Sequence, residues 1–314
     1  MRRRLVLALA LAAVGPAALL AVACGDSAYK PGREPLDTTD DETDASTVRP
    51  RADTGADPDP PVVPLDGGAS GRVLAHTSTQ LFRLEPELRR LTLLGAFSCL
   101  TQGDQMIDIA VDRTGAVFGT SFTGFLTVDP LTAACTYIEK RTDYPNSLSF
   151  VPIGTVDSAK EALVGYAFDG PSATRYVRID TATGAMTDLG TLNAPGAATE
   201  FVSSGDLVGL VNDQNRAYLT VRFKNLLADG GAAPDRLAEV SPATGRILRI
   251  VGDTKQRNLY GLGYWAGKGY GFADDGTVAE IDMKTGAGTP LSLSGITAKP
   301  RWFGAGVSTQ APGP

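Results

Sequence analysis

The 314-residue chain has little of what most catalytic and cofactor sites are made from: one histidine, three cysteines and two tryptophans. A Ser-His-Asp arrangement could use only His76. No Cys-x-x-Cys pair occurs, and with a single imidazole no metal site is expected. Excess positive charge is missing too. Residues 72–314 hold 24 acids and 22 bases, which excludes the basic face of a nucleic-acid binder. No long apolar run follows residue 23, so no second membrane-spanning helix is expected.

What is present begins at the N-terminus. Arg2, Arg3 and Arg4 precede an apolar run, Leu5 to Ala23, broken by Gly15 and Pro16 and ending in small residues before Cys24. That is the layout of a secretory signal peptide over residues 1–23. Ala21, Val22, Ala23 and Cys24 resemble the lipobox of bacterial lipoproteins, with Ala21 where the family prefers leucine. The resemblance implies that Cys24 is the lipidated first residue of the mature chain. It also implies location at the cell envelope, in the outer membrane or on the cell surface. An uncleaved anchor is the alternative, since the run is just long enough to span.

Cys99 and Cys135 remain. Export favours one disulfide between them, and two buried thiols are the alternative. Residues 24–70 are poor in aromatic and aliphatic side chains, and from Gly25 on they hold eleven acids against four bases. Such a segment cannot offset its ordering entropy by burial, so it is expected to be a disordered, extended acidic tether. The run Asp37–Asp44 lacks the central Gly and distal Glu of a calcium loop. Gly25-Asp26-Ser27 resembles an esterase nucleophile block, but no histidine follows near the C-terminus.

From residue 71 the chain repeats itself. Corners built on Glu85, Asp129, Asp180, Ser241 and Asp282 recur at intervals of 44, 51, 61 and 41 residues. Periods of 40–50 with short strands indicate propeller blades. Asn258–Trp265, Lys268–Ala273, Thr277–Asp282 and Ala287–Leu293 form one four-stranded blade, separated by turn residues. The first repeat lacks a first strand, and Pro300–Gln310 resembles a lone one. An all-β propeller over residues 71–310 is therefore expected, with five blades closed by pairing the two ends and a tail at 311–314. Six blades, one of them degenerate, is the alternative. Phe223–Asp235 is expected to be a loop insertion on a binding face.

Asp129, Asp180 and Asp282, with Gly184, Gly245 and Gly286, suit tight structural turns better than a ring of metal ligands, because turns on separate blades would not converge. The repeat V-x-x-I-D-x-x-T-G resembles quinoprotein-like and YVTN-type bacterial propellers. Quinoprotein blades carry a docking tryptophan after the Thr-Gly turn. Here Trp265 and Trp302 fall in first strands, so no quinone or other cofactor is expected. The resemblance also implies an adaptor for other envelope proteins.

No catalytic residue stands out. His76 aligns with Thr120 and Ala273, both ordinary second-strand positions. The acids Asp104, Asp108, Asp112, Asp274 and Asp275 are the only acid/base material, and a glycosidase would need two of them facing across a pocket. Tyr264, Trp265, Phe223 and Asp235 are candidate binding-surface residues, although aromatics in such strands more often pack between blades. The expected function is a lipid-anchored, monomeric binding module for an envelope protein, a glycan or a small ligand. A carbohydrate-active enzyme and a passive surface protein remain as alternatives.

Overall fold

The computed structural model describes residues 73–225 and 233–314. Cys24, the signal segment, the tether and the middle of the insertion lie outside the described residues. The described chain forms five four-stranded antiparallel sheets, the blades of a five-bladed β-propeller.

The first blade comprises Val73–His76 (β1), Gln80–Glu85 (β2) and Arg90–Ala96 (β3). The second is Met106–Val111 (β4), Val117–Ser121 (β5), Gly124–Val128 (β6) and Cys135–Glu139 (β7). The third is Leu148–Val151 (β8), Ala162–Asp169 (β9), Ser172–Ile179 (β10) and Met186–Thr191 (β11). The fourth is Phe201–Leu210 (β12), Arg216–Phe223 (β13), Arg236–Val240 (β14) and Ile247–Asp253 (β15). The fifth is Leu259–Trp265 (β16), Lys268–Ala273 (β17), Val278–Asp282 (β18) and Gly288–Pro290 (β19). Gly304–Gly306 (β20) then pairs with β1, His76 opposite Gly304 and Leu74 opposite Gly306, supplying the first blade's missing inner strand.

Five blades, not six, account for the sequence. The widest interval is filled by the long strands β12 and β13 together with the β13–β14 connection. Residues 311–314 are not a free tail. Ala311 is fully buried in the core, and Ala266 N–H donates to Pro312 O. Inner strands are buried on both faces, as in β12, whereas outer strands such as β11 are largely exposed. Trp302 is fully buried between blades and meets Phe82 and Phe272 edge-on at 5.3 and 5.4 Å.

The repeated corner is a side-chain-capped turn. Asp180 Oδ1 accepts the N–H groups of Ala182 and Thr183, both at 3.0 Å, and Gly184 at φ 72° returns its N–H to Asp180 O. Asp129 and Asp282 make the same bonds to the residues two and three places on. Ser241 replaces the aspartate once, and Ala133 at φ 60° replaces the glycine once. These turns also hook neighbouring blades. Tyr166 Oη–H donates to Gly245 O and Tyr176 Oη–H to Pro242 O, both from the third blade to the fourth, and Tyr144 Oη–H, in the link between the second and third blades, donates to Gly184 O. Gly190, at an outer-strand bulge, leaves room for the Thr244 carbonyl of the next blade.

Cys99 and Cys135 are disulfide-bonded, tying the link between the first two blades to β7. Closing their 36-residue separation stabilises by about 4 kcal/mol in the chain-entropy model.

Gly245→Ala should cost about 3 kcal/mol in urea unfolding, because the turn needs φ 67° and the new methyl would collide with the Tyr176 ring. Gly103→Ala, at φ 90° in open space, should cost only about 1 kcal/mol. Equal costs would contradict the interlocking of turns and tyrosines.

Candidate functional site

Antiparallel order places the second-to-third turns and the links between blades on one face, and the Asp-capped turns on the other. On the first face a cavity of about 250 Å³ opens on the propeller axis. Its apolar walls are Ile107, Phe122, Tyr260 and Phe303, and its polar groups are Asn146, Ser204 and Arg222. Ile107 comes from the second blade, Asn146 from the start of the third, Ser204 and Arg222 from the fourth and Tyr260 from the fifth. Phe303 precedes β20, so all five blades contribute to the wall.

Three polar atoms at this cavity are buried without a hydrogen-bond partner: Asn146 Oδ1, Ser204 Oγ and Arg222 Nε. Buried polar atoms are rarely left so, and each exception calls for an explanation.

Near Ser204 lies Asp235, 1% exposed, whose Oδ2 accepts Leu259 N–H at 2.7 Å. Burial pushes its carboxyl up to about 6, against the opposing pull of that N–H and of the Arg222 guanidinium. Ser204 Oγ is close enough to oppose the shift too, without a hydrogen bond of normal geometry.

At the axis, Asp108 and Asp206 face one another, both fully buried. Asp108 accepts the N–H groups of Ile109 and Leu148 at 2.8 and 2.6 Å. Asp206 accepts those of Leu207, Leu262 and Ala305 at 2.7, 3.1 and 3.1 Å. Burial and, for Asp108, the neighbouring carboxyl push both well above the usual carboxylate range. The pair therefore retains a proton at neutral pH. His76 Nε2 is 3.7 Å from Asp108 Oδ1, but burial lowers the imidazole to about 4, so it is neutral. Its Nδ1–H donates to Thr77 O at 2.8 Å.

This pair resembles the two facing carboxylates of a hydrolase, but it is sealed from solvent, and backbone N–H groups occupy its oxygens. No opposed pair forms from the other acids. Asp112 caps a turn through Thr114 and Ala116 N–H, Asp274 holds Asn258, and Asp275 caps Thr277. Asp104 accepts the hydroxyls of Ser121, Thr123 and Tyr137. Burial alone would raise its carboxyl, and these hydroxyls bring it below the ordinary value.

The four candidate surface residues do not form a surface. Tyr264 is 1% exposed within the inter-blade core, and Asp235 is buried on backbone duty. Trp265 is partly buried, its indole N–H donating to Glu87. Phe223 stacks on Phe201 at 4.9 Å under the Arg236 guanidinium. Asp129, Asp180 and Asp282 sit in turns of three separate blades, with no shared site. The residues that do line the axis, Asn146, Ser204, Asp206, Arg222, Tyr260 and Phe303, were not singled out. One signal was available for Asp206: "GDLV" repeats the "IDIA" around Asp108 on the inner strand.

The chain matches no protein-family model and no curated protein. Among solved structures it is similar to a Bacteroides caccae protein of unknown function, at 10% identity and TM-score 0.37, over 74% of this chain and 76% of that one. It is also similar to an auxiliary nutrient binding protein from Bacteroides thetaiotaomicron VPI-5482, at 14% identity and TM-score 0.40, over 72% and 57% of the two chains. BamB from Moraxella catarrhalis is similar at 14% identity and TM-score 0.27, over 71% and 61%. The aligned parts thus span less than two thirds of the latter two proteins.

Asp235 gives a test of the site's electrostatics. Its folded pKa lies above the unfolded carboxylate value, so its contribution is fully present below about pH 4 and lost as pH rises through about 6. His76, lowered to about 4, acts in the opposite direction over a similar range and masks the effect in the wild type. Relative to wild type, Asp235→Asn should therefore gain about 3 kcal/mol between pH 4 and pH 8 in urea unfolding. A constant difference would contradict the buried-carboxyl account.

Proposed function

We propose that the protein is a lipid-anchored binding module of the cell envelope, taking a small ligand in the axial cavity. The observation that carries this is one axial cavity lined by residues from around the ring, three of which bear a buried polar atom without a hydrogen-bond partner. The signal segment, Cys24 and the acidic tether support envelope location and reach. The sealed state of Asp108 and Asp206 favours binding over carboxylate catalysis. The protein-adaptor version has less support. The exposed large apolar side chains described are scattered: Phe122 and Leu131 lie in different turns of the second blade, Phe168 in the third and Leu248 in the fourth.

Two measurements on the full chain test this. A thermal-shift screen of sugars, sugar acids, amino acids and short carboxylates should find a ligand that stabilises the wild type, by about 2.7 kcal/mol at a hundred times its Kd. At the same ligand concentration the shift should fall to about 1.4 kcal/mol in Arg222→Gln. A shift of equal size in that variant, or none with any compound, would refute the axial site. In native cells, Cys24→Ala should move the protein from the membrane to the soluble fraction, and unchanged partition would refute the anchor.

A further inference from the structure

Resting on the axial cavity as a ligand site, we infer that it takes a neutral pyranose sugar ring and not an organic anion. The charge balance comes first. Arg222 is the one cation among the described lining residues, and the buried Asp235 carboxyl lies beside it. Asp274 adds further negative charge near Asp235. An incoming carboxylate would meet the repulsion of these acids, whereas a neutral ligand would not.

The unpartnered atoms point the same way. Arg222 Nε–H only donates, Asn146 Oδ1 only accepts, and Ser204 Oγ does both. A carboxylate accepts and never donates. A sugar hydroxyl does both, and adjacent hydroxyls on one ring can answer a mixed set of donors and acceptors.

The walls supply the rest. Phe122, Tyr260 and Phe303 offer aromatic surface to the C–H faces of a pyranose, and Tyr260 adds a hydroxyl. At about 250 Å³ the cavity lies just below the usual range of small-molecule pockets. That size admits one ring or the end of a glycan chain.

Saturation-transfer NMR on the full-length protein in detergent tests the inference. The probes are D-glucose, D-galactose, D-mannose and N-acetyl-D-glucosamine, with benzoate and phenylacetate as the anionic alternatives. At least one sugar should give a saturable response. Ser204→Ala and Arg222→Gln should each weaken it about tenfold, the loss of one buried hydrogen bond. Phe303→Leu, which keeps an apolar side chain, should weaken it as well, and Lys284→Ala on the opposite face should not. Circular dichroism melting identifies any variant that fails to fold, and the wild-type probes stand without the variants. No saturable sugar response, or a response unchanged in folded pocket variants, overturns the inference. Benzoate or phenylacetate binding alone, abolished by Arg222→Gln, also overturns it while leaving the axial site intact.

Discussion

Five backbone N–H groups point at the axis of this propeller, and two aspartates accept them all. Ile109, Leu148, Leu207, Leu262 and Ala305 hold equivalent places on the five inner strands, opposite Gly119, Gly165, Leu219, Gly271 and Ala75. Each N–H lies on a strand edge with no neighbouring strand, and burying one unpaired costs about 1–3 kcal/mol. Asp108 takes two and Asp206 takes three. Two like charges in a sealed interior would repel, and no cation lies between them because His76 is neutral. One retained proton resolves this. The facing carboxyl adds to the upward push on Asp108, whereas the three N–H donors at Asp206 oppose that of burial.

Much of the remaining structure follows from that stitch. It ties all five inner strands to two carboxyl groups at the axis. At the periphery, capped turns and tyrosine hooks continue the same task from blade to blade. The ring closes where β20 meets β1, and Ala305 on β20 also donates to Asp206. Closure and the axial stitch therefore reinforce each other. Of the three residues with unpartnered atoms at the cavity, Ser204 lies on the stitched strand β12, Arg222 on its neighbour β13 and Asn146 just before β8.

The sequence discloses the fold better than the site. Asp-x-x-Thr-Gly corners are local, because an aspartate caps the N–H groups two and three residues on and the glycine takes positive φ. Their period therefore shows directly in the chain. The missing first strand and its surplus copy at the C-terminus show as plainly. The axial residues are legible only after closure, since Asn146, Ser204, Arg222, Tyr260 and Phe303 share no spacing and meet only because the ring brings together two inner strands, β13 and the segments that lead into β8 and β20. Tyr264 and Asp235 mislead for the converse reason. Each belongs to a type found in binding sites, yet burial between blades commits one to packing and the other to Leu259 N–H. Asp108 was visible as an acid near a strand start. Its partner lies 98 residues later, and only the fold sets the two face to face.

The most direct test of the axial stitch is native-state amide hydrogen exchange on the wild type and Asp206→Asn. An asparagine cannot accept on its NH₂ side, so either Leu207 N–H, served by one Asp206 oxygen, or Leu262 and Ala305 N–H, served by the other, should lose their acceptor. The account predicts that all five amides are strongly protected in the wild type. In the variant, Leu207 alone or Leu262 and Ala305 together should lose about tenfold more protection than Ile109 and Leu148. Rapid exchange of all five in the wild type, or an equal change at all five in the variant, would contradict it.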